Sequence, residues 1–189
     1  MAPAPDDTRA DARPARGLDP RASGRARARA ARGTRRRARR SDGVVPRVDR
    51  RAEVSWNGNL ARGEGRISAP SGAFAGLPYS AATRVAARAE TTSPEELLAA
   101  AHAGCFAMSL AGELREAEAR IDVTANVVLD EVDGQGHRIV ESQLEVRARA
   151  PGLEQAAFDE AVEAADRGCP FSRLIAAAAK VTINATLED

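Results

Sequence analysis

The chain has 189 residues, a length that fits one domain with an extension. Its net charge of +1 is an average over two unlike parts: residues 1–51 hold 16 Arg against 6 Asp, near +10, and residues 52–189 hold 12 Lys and Arg against 21 Asp and Glu, near −9. No apolar run reaches the ~18 residues of a membrane span without a charge, and the amino-terminus lacks the apolar stretch of a secretory signal. The reading is therefore a cytoplasmic chain, in which two cysteines point to redox chemistry more than to a structural staple.

Residues 1–43 are mostly Ala, Arg, Pro, Asp and Gly, and a segment with so few large apolar side chains cannot offset its ordering entropy by burial. The sequence predicts a disordered arginine-rich extension over 1–51 and a folded domain over 52–189. Arg35-Arg36-Arg37-Ala38-Arg39-Arg40 has the charge to meet phosphate backbones but no interleaved aromatic to read a base, so nucleic acid is not the expected partner. The other reading of this stretch is a coding frame taken upstream of its true start, with Val44, Val45 or Val48 as the first residue.

In the folded part, Ala52 to Trp56 alternates as a strand and Asn57-Gly58 supplies a turn. Arg66 to Ser68 reads as a second strand and Tyr79 to Ala89 as a third extended segment. A helix opens at Ser93, with Pro94 at its first position and Glu96 placed to close a capping box. It is predicted to run to about Ala117. From Leu97 to Leu114 this helix is apolar nearly all round, interrupted by His102, Ser109 and Glu113, so it needs protein on most sides. One chain of this size supplies too little cover, and a symmetric dimer in which two such helices pack together is the economical solution. Ile121 to Val132 and His137 to Ala150 form a hairpin about Asp133-Gly134-Gln135-Gly136. Leu153 to Arg167 is an amphipathic helix, Pro170 to about Ala178 a short one, and Val181 to Leu187 a closing strand. The order defines an α+β domain with no glycine-rich nucleotide loop after a strand.

The two cysteines carry the chemistry. Cys105 lies inside the apolar helix, and Cys169, 64 residues later, lies at a helix entrance where backbone N–H groups favour a thiolate. A buried thiol has a raised pKa unless a fixed cation stands nearby, and Arg is suited to that task. Arg62, Arg66, Arg84 and Arg88 are the candidates that precede the helix. The bland readings are a small core cysteine at 105, an incidental helix-start residue at 169, a surface charge at Arg84 and a helix-dipole carboxylate at Glu95. His102, one turn before Cys105, reads as a hydrogen-bonded core histidine in preference to a metal ligand, and Trp56 as packing.

Three segments choose among these. Trp56-Asn57-Gly58-Asn59-Leu60 with Arg62-Gly63-Glu64-Gly65, Pro78-Tyr79 and Thr83-Arg84 forms the first. Thr92-Ser93-Pro94-Glu95-Glu96-Leu97-Leu98 through His102-Ala103-Gly104-Cys105-Phe106 forms the second, and Gly168-Cys169-Pro170-Phe171-Ser172 the third. In order and spacing, over about residues 52–187, they resemble the OsmC/Ohr family of peroxidases, and more closely its OsmC branch, associated with oxidative and osmotic stress. Phe171 stands where that family often carries Val.

The resemblance implies antiparallel sheets around a long central helix in an intertwined homodimer with active sites at the subunit interface. It implies that Cys105 is the peroxidatic thiol, Cys169 the resolving thiol, Arg84 the cation beside the thiolate and Glu95 the carboxylate that orients Arg84. The expected reaction reduces organic hydroperoxides, and hydrogen peroxide, through a Cys105 sulfenic acid and a Cys105–Cys169 disulfide. A dithiol, either a small thiol or a lipoyl-type protein, would regenerate the enzyme, with no metal or flavin cofactor. Glu95 and Cys105 are ten positions apart on one helix, ~15 Å along its axis, so Glu95 is expected from the neighbouring subunit if both serve one site. The alternative function is a redox-sensing or ligand-binding domain on the same scaffold with negligible turnover.

Overall fold

The computed structural model describes residues 47–86, 88, 90–115 and 117–188. Most of the arginine-rich extension, and the predicted disorder of it, lies outside the described residues, as do Ala87 and Ala89 of the third extended segment and Glu116 near the predicted end of the long helix.

The first sheet has three antiparallel strands: β1 (Glu53–Asn57), β2 (Glu64–Ser68) and β3 (Leu77–Tyr79), in that order. β1 and β2 are joined by a loop wider than a two-residue turn, which begins at Gly58 with φ of 92°. Close approach explains the glycines of the segment that follows. A Cβ on Gly63 would lie 2.5 Å from the Asn59 carbonyl oxygen and 2.8 Å from the Trp56 ring, and one on Gly65 would lie 2.2 Å from Tyr79 Cε1. Trp56 packs over Tyr79 with ring centroids 5.6 Å apart, and its indole N–H donates to the Gly58 carbonyl at 2.9 Å.

Residues 80–86 do not extend as predicted. β3 stops at Tyr79 and the chain enters α1 (Ala81–Arg84), a single turn held by a reciprocal cap in which the Ser80 hydroxyl accepts from the Thr83 N–H and Thr83 Oγ1 accepts from the Ser80 N–H, both at 3.0 Å. This local Ser-x-x-Thr chemistry overrides the weak extended pattern of an alanine-rich stretch.

The long helix is α2 (Pro94–Leu114), 21 residues. Ser93 caps it by accepting from the Glu96 N–H at 3.1 Å, with Pro94 in the first turn; of the predicted capping box only this arm is formed among the described residues. The helix ends three residues before the predicted Ala117, where Arg115 turns the chain with a φ of 47°. Its ridge His102, Phe106, Leu110 and Leu114 is buried against β4 (Arg120–Val132) and α3 (Gln155–Gly168). The opposite ridge, Ala100, Gly104, Met108 and Gly112, is exposed. By length and composition α2 is apolar enough to cross a membrane, and only 22 % of its most apolar window is buried within this chain.

β4 pairs antiparallel with β5 (Gly136–Arg149), with a bulge between Val128 and Leu129. Inward-facing Ser142, Leu144, Val146 and Ala148 alternate with outward charged residues. After α3 and the short α4 (Pro170–Ala176), β6 (Lys180–Glu188) returns parallel to β5. This sheet is therefore mixed where an antiparallel one was expected, because the two-helix crossover carries the chain back to the end of the sheet at which β5 began. Phe106, Leu110, Leu144, Val146, Phe158 and Cys169 fill the core between α2, α3 and this sheet. The architecture is α+β, as the order of elements predicts.

Candidate active site

Cys169 is the N-cap of α4, and Pro170 occupies the first helical position. A helix entrance leaves its first N–H groups without intrahelical partners, which makes it a favourable place for anionic sulfur. The Ser172 N–H donates to Cys169 Sγ at 3.5 Å. Cys169 has no exposed surface, whereas Cys105 is half-buried, and both are free thiols.

Cys105 projects from the middle of α2 toward the same entrance. It packs against the buried cluster that contains Cys169, near enough for that thiol and the Phe171 backbone N–H to act on its ionisation. Burial pushes the Cys105 pKa up, and the neighbouring Cys169 adds to this; the Phe171 N–H opposes it without reversing it. The first turn of α4 thus serves both sulfurs. The sequence places one cysteine at a helix entrance, and the fold brings the second to it.

Arg84 and Glu95 form a separate pair. Arg84 Nε donates to both Glu95 carboxylate oxygens, at 3.0 and 3.1 Å, and its Nη2 also contacts Oε1. The Glu95 side chain is 12 % exposed and that of Arg84 38 %. Burial, the largest single influence, would raise the Glu95 pKa, but the Arg84 hydrogen bond and charge, with the Glu95 backbone N–H and Ser93, together outweigh it and hold the carboxyl below its usual range; the same Arg84 bond raises Arg84. The capped turn α1 delivers Arg84 to the first turn of α2. Within one chain this pair lies at the far end of the ten-residue interval from Cys105, and Arg84 makes no contribution to the surroundings of the Cys105 thiol. Of the other candidate cations, Arg66 donates to the Gly76 carbonyl at 3.2 Å, and Arg62 and Arg88 are exposed.

His102 is a fully buried core histidine, as its position predicts. Its Nδ1 lies 2.8 Å from Ser142 Oγ and its Nε2 3.0 Å from Ser172 Oγ. Neither serine stands out by spacing; the signal available for Ser142 is that a hydroxyl occupies an inward position of an otherwise apolar alternation in β5.

An α+β domain in which two free thiols converge on one helix entrance defines a thiol-based redox protein. The family model for OsmC-like protein matches residues 87–184. The chain is 36 % identical over 145 residues to Peroxiredoxin OsmC of Escherichia coli, a match that covers 75 % of this chain and 99 % of that one. The fold is similar to that of the organic hydroperoxide resistance protein OhrB of Bacillus subtilis, with a TM-score of 0.54 and 23 % identity over 72 % of this chain and 98 % of that one. It is also similar to an organic hydroperoxide resistance protein from Elizabethkingia anophelis, with a TM-score of 0.57 and 19 % identity over 75 % and 99 % of the two chains. The chain belongs to the OsmC family, and is a thiol peroxidase.

Proposed function

We propose that the protein reduces organic hydroperoxides, and hydrogen peroxide, by a two-cysteine cycle in a reducing cytoplasm. The observation that supports this reading is that two free cysteines, Cys105 and the α4 N-cap Cys169, pack into one core cluster. The Cys105 thiolate attacks the terminal peroxide oxygen. An S–O bond forms, the O–O bond breaks, and the alkoxide leaves as an alcohol after taking a proton, so that Cys105 is oxidised to a sulfenic acid. Cys169 then displaces that oxygen as water and forms the Cys105–Cys169 disulfide. An external dithiol reopens the bond by exchange.

Cys105 has a raised pKa in an isolated chain, so this reading requires a cation from elsewhere. Arg84, oriented by Glu95, is the cation, supplied by a second copy of the chain. Support comes from α2: its exposed ridge of Ala100, Gly104, Met108 and Gly112 is the surface on which another helix can lie closely, and a Cβ on Gly104 or Gly112 would meet nothing within 4 Å. Cys105 follows Gly104, at the border between this ridge and the buried one. The Arg84 guanidinium also stabilises the charge that develops on the peroxide oxygens.

The test is turnover of cumene hydroperoxide with a dithiol by wild type, Cys105→Ser and Cys169→Ser, with mass spectrometry of the products. The Cys105 variant is expected to be inactive, and the Cys169 variant to turn over once and then over-oxidise at Cys105. A Cys105→Ser protein that retains peroxide turnover would sink the proposal.

A further inference from the structure

His102 joins three elements. It lies on α2 one turn before Cys105, bonds Ser142 on β5 through Nδ1 and bonds Ser172 on α4 through Nε2. Ser172 in turn donates its backbone N–H to Cys169 Sγ. One residue of α4 therefore answers both to the histidine on the peroxidatic helix and to the second thiol. We propose that His102 is a positioning residue for the resolving half of the cycle, holding the entrance of α4, and with it Cys169, against Cys105. The inference rests on the Cys105–Cys169 reading given above.

Burial lowers the His102 pKa, against an opposing contribution from Asp166, so the ring is neutral, with one N–H and one lone pair. A serine hydroxyl both donates and accepts, so either tautomer satisfies both contacts. The surrounding core is apolar, built from Phe106, Leu110, Leu144 and Phe158. Three polar side chains buried together in such a core offer no packing that aliphatic residues would lack. What they add is direction: hydrogen bonds of 2.8 and 3.0 Å fix where the first turn of α4 sits relative to α2.

That position matters most in the second step. The Cys169 sulfur, as thiolate, attacks the sulfur of the Cys105 sulfenic acid. The S–S bond forms as the S–O bond breaks, the oxygen leaves with a proton as water, Cys169 is oxidised, and Cys105 is reduced from the sulfenic state. A second peroxide competes for the same sulfenic acid and carries it to sulfinic acid. A loosened Cys169 loses alignment for its own reaction and leaves the competing one untouched.

The experiment is a single turnover with one equivalent of cumene hydroperoxide, using dimedone trapping to follow sulfenic acid and mass spectrometry to follow disulfide. The variants are His102→Leu, His102→Gln and Ser172→Ala. Sulfenic acid should form at the wild-type rate in all three. Disulfide formation should slow roughly three- to tenfold in His102→Leu and Ser172→Ala, the effect of one lost hydrogen bond, with more sulfinic acid when peroxide is in excess. His102→Gln, whose amide still reaches Ser172, should recover most of the rate. If His102→Leu does not fold, Ser172→Ala and His102→Gln carry the test. Wild-type resolution by Ser172→Ala, or an equal loss in both steps, would overturn the proposal. Absence of the Cys105–Cys169 disulfide in the wild type would instead overturn the reading on which it rests.

Discussion

Arg84 and Glu95 hold each other through two hydrogen bonds from one guanidinium nitrogen, yet in one chain they stand apart from the Cys105 thiol they are proposed to serve. Two predictions follow from this separation. Arg84→Gln should move the alkylation of Cys105 by iodoacetamide to higher pH, since burial and Cys169, which raise the thiol, then prevail over the Phe171 N–H, which lowers it; an unchanged pH profile would show that Arg84 does not stand beside the thiolate. Glu95 has a folded-state pKa below its unfolded one, so its contribution to stability is complete above the unfolded value and is lost as pH falls through the folded one. Glu95→Gln should therefore cost about 0.5–1 kcal/mol at neutral pH, an amount reduced by solvent at the partly exposed Arg84, and less below about pH 4. Urea melts at the two pH values measure the difference.

At the scale of elements, those with a strong local signal were predicted well. Ser93-Pro94 opens α2, Gly134 turns the β4–β5 hairpin, and Cys169-Pro170 opens α4. Others were not, and neither was the nearness of Cys105 to Phe171, which depends on where α4 docks. Alanine-rich residues 79–89 gave no clear period, and the Ser80–Thr83 cap decided the local structure. The direction of β6 was set by the two-helix crossover, which no periodicity within the strand encodes. The glycine-rich segment after β1 carried a motif whose reason appears only in space, as the bed beneath Tyr79. Gly65→Ala should force that ring away from Trp56 and destabilise the domain by about 1–3 kcal/mol, visible as a lower denaturation midpoint with an unchanged slope. A wild-type midpoint would mean that the ring moves without cost.

At the scale of the molecule, α2 presents two ridges, and the chain covers one of them. Met108 is 73 % exposed at the centre of the other. Met108→Asp should convert a dimer to monomers in light scattering and abolish peroxide turnover together with it; a fully active monomer would rule out a shared site. Glu95→Ala and Cys105→Ser are each expected to be inactive, yet mixed and reassociated they should recover about a quarter of wild-type activity, because half of random dimers contain one intact site of two. No recovery would assign both residues to a site within one chain. The apolar circumference of α2 is what suggested a second subunit from the sequence. Which ridge would remain open was not legible there, since that depends on how β4 and α3 pack. Deletion of residues 1–43 should leave peroxide turnover within about twofold of the full chain, since the charge of that stretch acts over a screened range.

The unequal shielding of the two sulfurs also gives the return to the thiol state a direction. With Cys169 fully enclosed and Cys105 half open, a reductant of the proposed Cys105–Cys169 bridge would reach it from the Cys105 side. The adduct on the protein would then form at Cys105, and Cys169 would depart toward the N–H of Ser172. In the proposed cycle the sulfur that meets the oxidant is thus also the one that meets the electron donor, while its partner acts only inside the protein, as nucleophile in closing the bridge and as leaving group in opening it.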